Sequence, residues 1–229
     1  MGKYAFLREE VFKLKNQISV SILSADICEL GKSVRELEKA KTDMLHFDVM
    51  DGVFVNNISF GIPVLESINK FSEMFMDVHL MIIDPLKYVE SFAKAGADMI
   101  TFHVEAESDI SETIDKIHSF GIKAGLAVSP ATPIEEVYPY LDKLDMVLVM
   151  TVVPGFGGQK FMTEVLDKVR DLRKRLADTD KEEMDIQVDG GINGETVKLA
   201  KEAGANVFVS GSYVFKNGDI SETIRQLKG

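Results

Sequence analysis

The chain reads as a (β/α)8 barrel preceded by a short helical extension, and three observations carry that reading. Short apolar or β-branched runs recur eight times, at 18–23, 43–50, 75–81, 98–103, 122–128, 145–151, 184–189 and 206–210, each followed by a longer charged segment with helical spacing. Strict βα alternation calls for parallel strands with right-handed crossovers, and eight such units in 229 residues favour closure over an open sheet. Gly96, Gly121 and Gly204 each stand between a helical pattern and the next strand, where glycine takes the left-handed conformation that ends a helix.

Taken in order, residues 5–16 place Phe6, Leu7, Val11, Phe12 and Leu14 at amphipathic positions and predict a short helix. Residues 1–17 are therefore read as an N-terminal helical extension and 18–229 as one barrel domain, with no linker or shift of composition to divide it. The stretch Asp109-Ile-Ser-Glu-Thr-Ile114 returns as Asp219 to Ile224, opening the expected fourth and eighth helices. An acidic cap followed three residues later by Glu is a capping-box spacing, and convergence on a good cap explains the echo more cheaply than duplication of a half-barrel.

Composition narrows the function. With 45% hydrophobic and 28% charged residues the chain is neither disordered nor membrane-embedded. A net charge of -11 disfavours nucleic acid and anionic lipid as partners, so an anionic ligand must be captured by local donors. The lone Cys28 excludes an intrachain disulfide and fits a reducing compartment. With no signal-peptide run and no stretch long enough to span a membrane, the expected location is cytoplasmic.

In such a barrel the chemistry gathers at the C-terminal ends of the strands. Strand two ends in His46-Phe-Asp48-Val-Met50-Asp-Gly52, and the two-residue period of a strand sends His46, Asp48 and Met50 to one face. A histidine and a carboxylate in an apolar run cost several kcal/mol unless satisfied, and from this stretch alone a metal and a hydrogen-bonded core pair serve equally well. Strand three adds His79 and Met81 on one face, and strand seven puts Asp189 at its tip. Two histidines and two aspartates from three strand ends can converge on one ion, a set that suits Zn, Fe, Mn or Co. Across the mouth, Pro154-Gly155-Phe156-Gly157-Gly158, Gly190-Gly191 and Gly211-Ser212 follow strands six, seven and eight. Glycine turns at three consecutive strand ends let backbone N–H groups approach an anion and point to a phosphate.

These motifs have a familiar combination. Ser19-Val-Ser21-Ile-Leu-Ser-Ala-Asp26, HFDVMDG, Phe54-Val-Asn-Asn57, DVHLM, Met150 to Phe161, VDGGIN and Val209-Ser-Gly-Ser212 occur in the order, and over the Ile18–Phe215 span, that resembles the ribulose-phosphate 3-epimerase family. The resemblance implies a ribulose-phosphate-binding barrel, an isomerase of the pentose phosphate pathway that interconverts D-ribulose 5-phosphate and D-xylulose 5-phosphate with one divalent metal ion per subunit. By the matching motifs it implies His46, Asp48, His79 and Asp189 as metal ligands and Asp48 and Asp189 as the acid/base pair. It implies Ser21 and His79 as substrate contacts, the turns 155–158, 190–191 and 211–212 for sugar and phosphate, and Met50, Met81 and Met150 lining the site. The chemistry agrees: inverting a carbon beside a ketone needs proton transfer on two opposite faces, and hence two carboxylates. As core filler the three methionines would be equally ordinary.

Val20 and Asn56 stand where the family commonly has proline, and Ser129 and Val153 where it often has asparagine. These departures keep D-allulose 6-phosphate open as an alternative substrate, and a non-catalytic phosphosugar-binding barrel is the alternative of another class. No strand-end lysine supports Schiff-base chemistry. His103 with Glu105 reads as a structural hydrogen bond, His118 as solvated, Asp51 as a turn brace, and Lys160 and Lys216 as surface lysines. A homo-oligomer is expected.

Overall fold

In the computed structural model of the chain, which describes residues 14–229, eight parallel strands close into a barrel in sequential order. They are β1 Gln17–Ser21, β2 Met44–Met50, β3 Phe75–Met81, β4 Met99–His103, β5 Lys123–Val128, β6 Met146–Met150, β7 Asp185–Asp189 and β8 Val207–Val209. The helices are α1 Leu30–Lys39, α2 Ile62–Asn69, α3 Val89–Ala95, α4 Ile110–Ser119, α5 Leu166–Ala177, α6 Thr196–Ala203, α7 Ser212–Lys216 and α8 Ile220–Lys228. Among the described residues no helix is long and apolar enough to cross a membrane.

Two crossovers depart from the expected pattern. Between β5 and β6 the chain forms a 3-10 run, Ile134–Lys143, with Pro139 inside it; proline lacks the N–H and crowds the preceding turn that an α-helix needs. After β8 the helix is split into α7 and α8. The helix read over 5–16 lies outside the described residues except for 14–16, which are not helical and lead directly into β1. β1 ends at Ser21, two residues early, because the Ser21 side chain accepts the Leu23 N–H at 3.3 Å and caps a 3-10 turn at Ile22–Ser24.

The expected helix ends hold. Gly96 and Gly204 end α3 and α6 at φ 105° and 107°. Asp109 and Asp219 each accept the N–H three residues on, from Glu112 at 2.8 Å and Glu222 at 3.0 Å.

Alternate strand residues face outward and build the main core. Phe47, Leu80, Phe102 and Phe208 are fully buried beneath helix residues such as Leu37, Leu65, Ile117 and Leu172. Each such side chain contributes about 1.5–3 kcal/mol by burial.

Inside the barrel the side chains stack in layers supplied by alternate strands. Met44, Met99, Met146 and Val207, from the even strands, form an apolar floor with Phe75. Beneath it the residues just before those strands form a fourfold repeat. Asp43, Asp98, Asp145 and Asn206 accept the N–H of Ile18, Met76, Ala124 and Ile186 at 3.0, 2.8, 2.8 and 2.9 Å. Each partner is the second residue of an odd strand, so the repeat satisfies donors that the stagger of a closed barrel leaves at its lower rim. Above the floor the interior turns polar, with Ser19, Asp77 and Gln187 fully buried. The floor separates this lower rim from the buried polar groups above it, which face the upper mouth.

Candidate active site

The register of β2 and β3 aligns His46 with Asp77, Asp48 with His79, and Met50 with Met81. β6 and β7 align Met150 with Asp189. The four expected ligand residues thereby meet: one ligand atom from each of His46, Asp48, His79 and Asp189 lies within 4.8 Å of the others. His46 Nε2 lies 3.2 Å from Asp48 Oδ1 and 3.7 Å from Asp189 Oδ2. His79 Nδ1 lies 3.3 Å and 3.7 Å from the same oxygens, and 3.4 Å from His46 Nε2. A tetrahedral ion with bonds of about 2.0–2.1 Å separates its ligands by about 3.3 Å, so this donor set fits such an ion.

Charge makes the same demand. Burial opposes ionisation of Asp48, yet His46 and His79 hold its carboxyl well below the usual range. Burial and then the Asp48 charge push Asp189 up to about 7. His46 is raised well above an ordinary histidine, because Asp48 and Asp77 outweigh its burial. Three buried carboxylates thus draw positive charge into one place, which a divalent cation can supply.

The groups behind the ligands are equally specific. His46 Nδ1 lies 2.8 Å from Asp77 Oδ2, which also accepts from Ser19 Oγ and Gln187 Nε2, each at 2.7 Å. Asp48 accepts the Ser21 hydroxyl on its other oxygen, Oδ2, at 2.6 Å. Thr151 Oγ1 lies 2.9 Å from Asp189 O and 2.7 Å from Gly190 O, and its single O–H, shared between these two carbonyls, fastens the tip of β7. The reading of the sequence missed Asp77, Ser19, Gln187 and Thr151. The first three stand two residues before His79, Ser21 and Asp189, so strand parity was available to find them.

A cavity of about 400 Å³ opens over the cluster, and it brings Ser21, Asp48, Met50, Met81, Met150 and Asp189 together with Gly155, Phe156, Gly157, Gly158, Gly190, Gly191, Gly211 and Ser212. His46 and His79 are fully buried below it. Lys216, read as a surface lysine, lines this cavity, whereas Lys160 does not. Gly191 sits at φ 68°, and a Cβ there would come within 2.6 Å of Phe161 N. Only glycine permits that turn.

The remaining residues largely keep their plain roles. Asp51 accepts N–H groups from Val53, Phe54 and Ile83, each at 2.8 Å, and braces the loop after β2. Asn57 Nδ2 ties that loop to Gly155 O at 2.7 Å. His118 pairs with Asp145 at 3.1 Å while partly exposed. Val20 is buried in β1 against the outer core. Asn56, Ser129 and Val153, three of the four departures, line one neighbouring cleft of about 520 Å³ that shares Pro154 with the main cavity.

Fold and site define a barrel that joins a histidine–aspartate cluster to glycine turns at its C-terminal mouth. The architecture is shared with the crystal structure of KGPDC from Streptococcus mutans, at a TM-score of 0.70 and 15% identity over 94% of this chain and 96% of that one. Sequence is more specific. The profile of the ribulose-phosphate 3 epimerase family matches residues 17–215. Ribulose-phosphate 3-epimerase of Bacillus subtilis (strain 168) is 43% identical over 213 residues, covering 93% of this chain and 98% of that protein. The cytoplasmic isoform from Oryza sativa subsp. japonica is 43% identical over 216 residues, covering 93% and 92%. The chain belongs to the ribulose-phosphate 3-epimerase family and is an enzyme of that family.

Proposed function

We propose that this enzyme inverts C3 of D-ribulose 5-phosphate to give D-xylulose 5-phosphate, using Asp48 and Asp189 on opposite faces of the substrate and one divalent ion per subunit. The observation that carries the reading is the buried four-residue cluster directly beneath a cavity walled by glycine turns. His46 Nε2, Asp48 Oδ1, His79 Nδ1 and Asp189 Oδ2 would hold the ion, which supplies Lewis-acid polarisation of the ketone and acidifies the neighbouring C–H.

The other oxygens, Asp48 Oδ2 and Asp189 Oδ1, are left to carry protons. Two-base chemistry starts with one carboxylate ionised and the other protonated, and in the metal-free site the two already differ, Asp48 being held ionised and Asp189 pushed up to about 7. In one direction Asp48 takes the C3 proton and Asp189 returns one to the opposite face of the enediolate; the reverse reaction exchanges their roles. Ser21 Oγ, which donates to Asp48 Oδ2, steadies that carboxylate and stands at the cavity wall for a sugar hydroxyl. Met50, Met81 and Met150 offer apolar, unprotonated contact to the planar intermediate. The turns 155–158, 190–191 and 211–212 receive the phosphate through backbone N–H groups, with Lys216 adding charge.

Residues 18–229 act as one catalytic domain in this reading, the enzyme is cytoplasmic, and it works as a homo-oligomer without nucleic-acid or membrane partners. The test is ¹H NMR in D₂O with added Zn²⁺, Fe²⁺, Mn²⁺ or Co²⁺, on D-ribulose 5-phosphate and D-allulose 6-phosphate in parallel. The expected result is xylulose 5-phosphate carrying deuterium at C3. Because Asn56, Ser129 and Val153 share one cleft beside the mouth, turnover of the hexulose phosphate alone would move the assignment to that sugar. No exchange on either would leave a phosphosugar-binding barrel.

A further inference from the structure

His103 and Glu105 are absent from the chemistry above, yet they are joined to it. His79 presents Nδ1 to the cluster, 3.3 Å from Asp48 Oδ1. Its other nitrogen, Nε2, lies 2.9 Å from Nε2 of the fully buried His103, and the two rings meet edge to edge, 24° from coplanar with centroids 5.1 Å apart. His103 Nδ1 in turn lies 3.1 Å from Glu105 Oε2, whose second oxygen accepts the Ser129 N–H at 2.8 Å.

Proton accounting makes this chain directional. An imidazole that offers Nδ1 to a cation carries its proton on Nε2. That N–H of His79 faces another ring nitrogen, which accepts it only when bare. His103 must therefore hold its own proton on Nδ1 and donate it outward to the Glu105 carboxylate. If His103 were protonated on Nε2, two N–H groups would collide or His79 would have to turn its proton toward the ligand cluster. His46 differs, since Asp77 alone orients it at 2.8 Å.

We propose that Glu105 and His103 are positioning residues that lock His79 in the tautomer whose Nδ1 is free for the metal, a role that rests on the metal reading given above. Glu105 can serve because it is a carboxylate with two acceptors. An amide at this position has one oxygen, and the Ser129 N–H and the His103 N–H compete for it. With the amide N–H₂ facing His103, the tautomers of both histidines reverse. Ser129 contributes only its backbone N–H, so its departure from the family pattern leaves the chain of hydrogen bonds intact.

The test uses full-length protein and Zn²⁺ alone. Side-chain ¹⁵N NMR of the zinc-loaded wild type, which needs no variant to fold, should show His103 as the Nδ1–H tautomer. Chelator competition should show Glu105→Gln binding Zn²⁺ about 10–100-fold more weakly than wild type, the usual loss when a group behind a ligand is removed. His103 found as the Nε2–H tautomer or as imidazolium, or a folded Glu105→Gln within twofold of wild-type affinity, would overturn the relay. Failure of the wild type itself to bind Zn²⁺ would instead overturn the reading of this cluster as a zinc site, and the relay with it.

Discussion

Asp189→Asn makes a prediction whose sign runs against the usual effect of altering an active-site residue. Burial and the Asp48 charge move the Asp189 carboxyl from 3.8 to about 7, so without metal the folded protein resists its ionisation. At 1.36 kcal/mol per tenfold, that displacement costs the folded state about 4 kcal/mol once the pH exceeds both values. Because the folded-state value is raised, the folded protein binds more protons than the unfolded chain between about pH 4 and 7, and stability falls with pH across that window. The amide keeps the shape and removes the charge. In urea unfolding with EDTA at pH 8, Asp189→Asn should therefore exceed wild type by about 2–4 kcal/mol, with the gap shrinking below about 1 kcal/mol at pH 4. Zn²⁺ at about 1,000 times its dissociation constant should close or reverse that gap, since it adds about 4.1 kcal/mol to the wild type. A variant less stable than wild type at pH 8 in EDTA, or a gap independent of pH, would show that the site does not oppose this charge.

Three further outcomes follow from the same geometry. Asp48→Asn and Asp189→Asn should each abolish turnover of D-ribulose 5-phosphate with an unchanged far-UV circular dichroism spectrum, and near-wild-type rates in either would remove that residue from proton transfer. Asp77→Asn replaces the anion to which Ser19, His46 and Gln187 converge; Zn²⁺ affinity should fall about 10–100-fold and stability by about 1–3 kcal/mol, read by chelator competition and denaturation. Gly191→Ala forces a Cβ toward the Phe161 backbone at a left-handed position, so it should cost at least about 2 kcal/mol by urea denaturation and impair phosphosugar binding, whereas an unchanged midpoint would mean that the turn relaxes freely.

How much of the site was legible depends on the range of the interaction. Two-residue alternation is local, so it correctly put His46, Asp48 and Met50 on one face and His79 with Met81 on another. The same parity places Asp77 inside the barrel, but its partners are remote: Gln187 reaches it from 110 residues away. The Asp-Met-aliphatic sequences at 43–45, 98–100 and 145–147 are visible as a repeat, yet their purpose appears only when closure shows which odd-strand N–H groups need acceptors. Pro139 was the signal that the fifth crossover is not an α-helix. His103 reads as structural from the sequence because nothing local says that its ring nitrogen meets that of a ligand histidine.

By itself, then, the sequence determined the alternation of strands and helices, the helix caps, the parity of the inward side chains and the family motifs, all of which are written in neighbouring residues. Tertiary structure alone decided which atoms meet. That His46 offers Nε2 and His79 offers Nδ1, that Asp77 orients one and His103 faces the other, and that Asp189 is driven up by Asp48, depend on a stagger set only when β8 pairs with β1. Closing the sheet fixes the relative height of every strand, and hydrogen bonds and charges of a few ångströms' reach respond to that height.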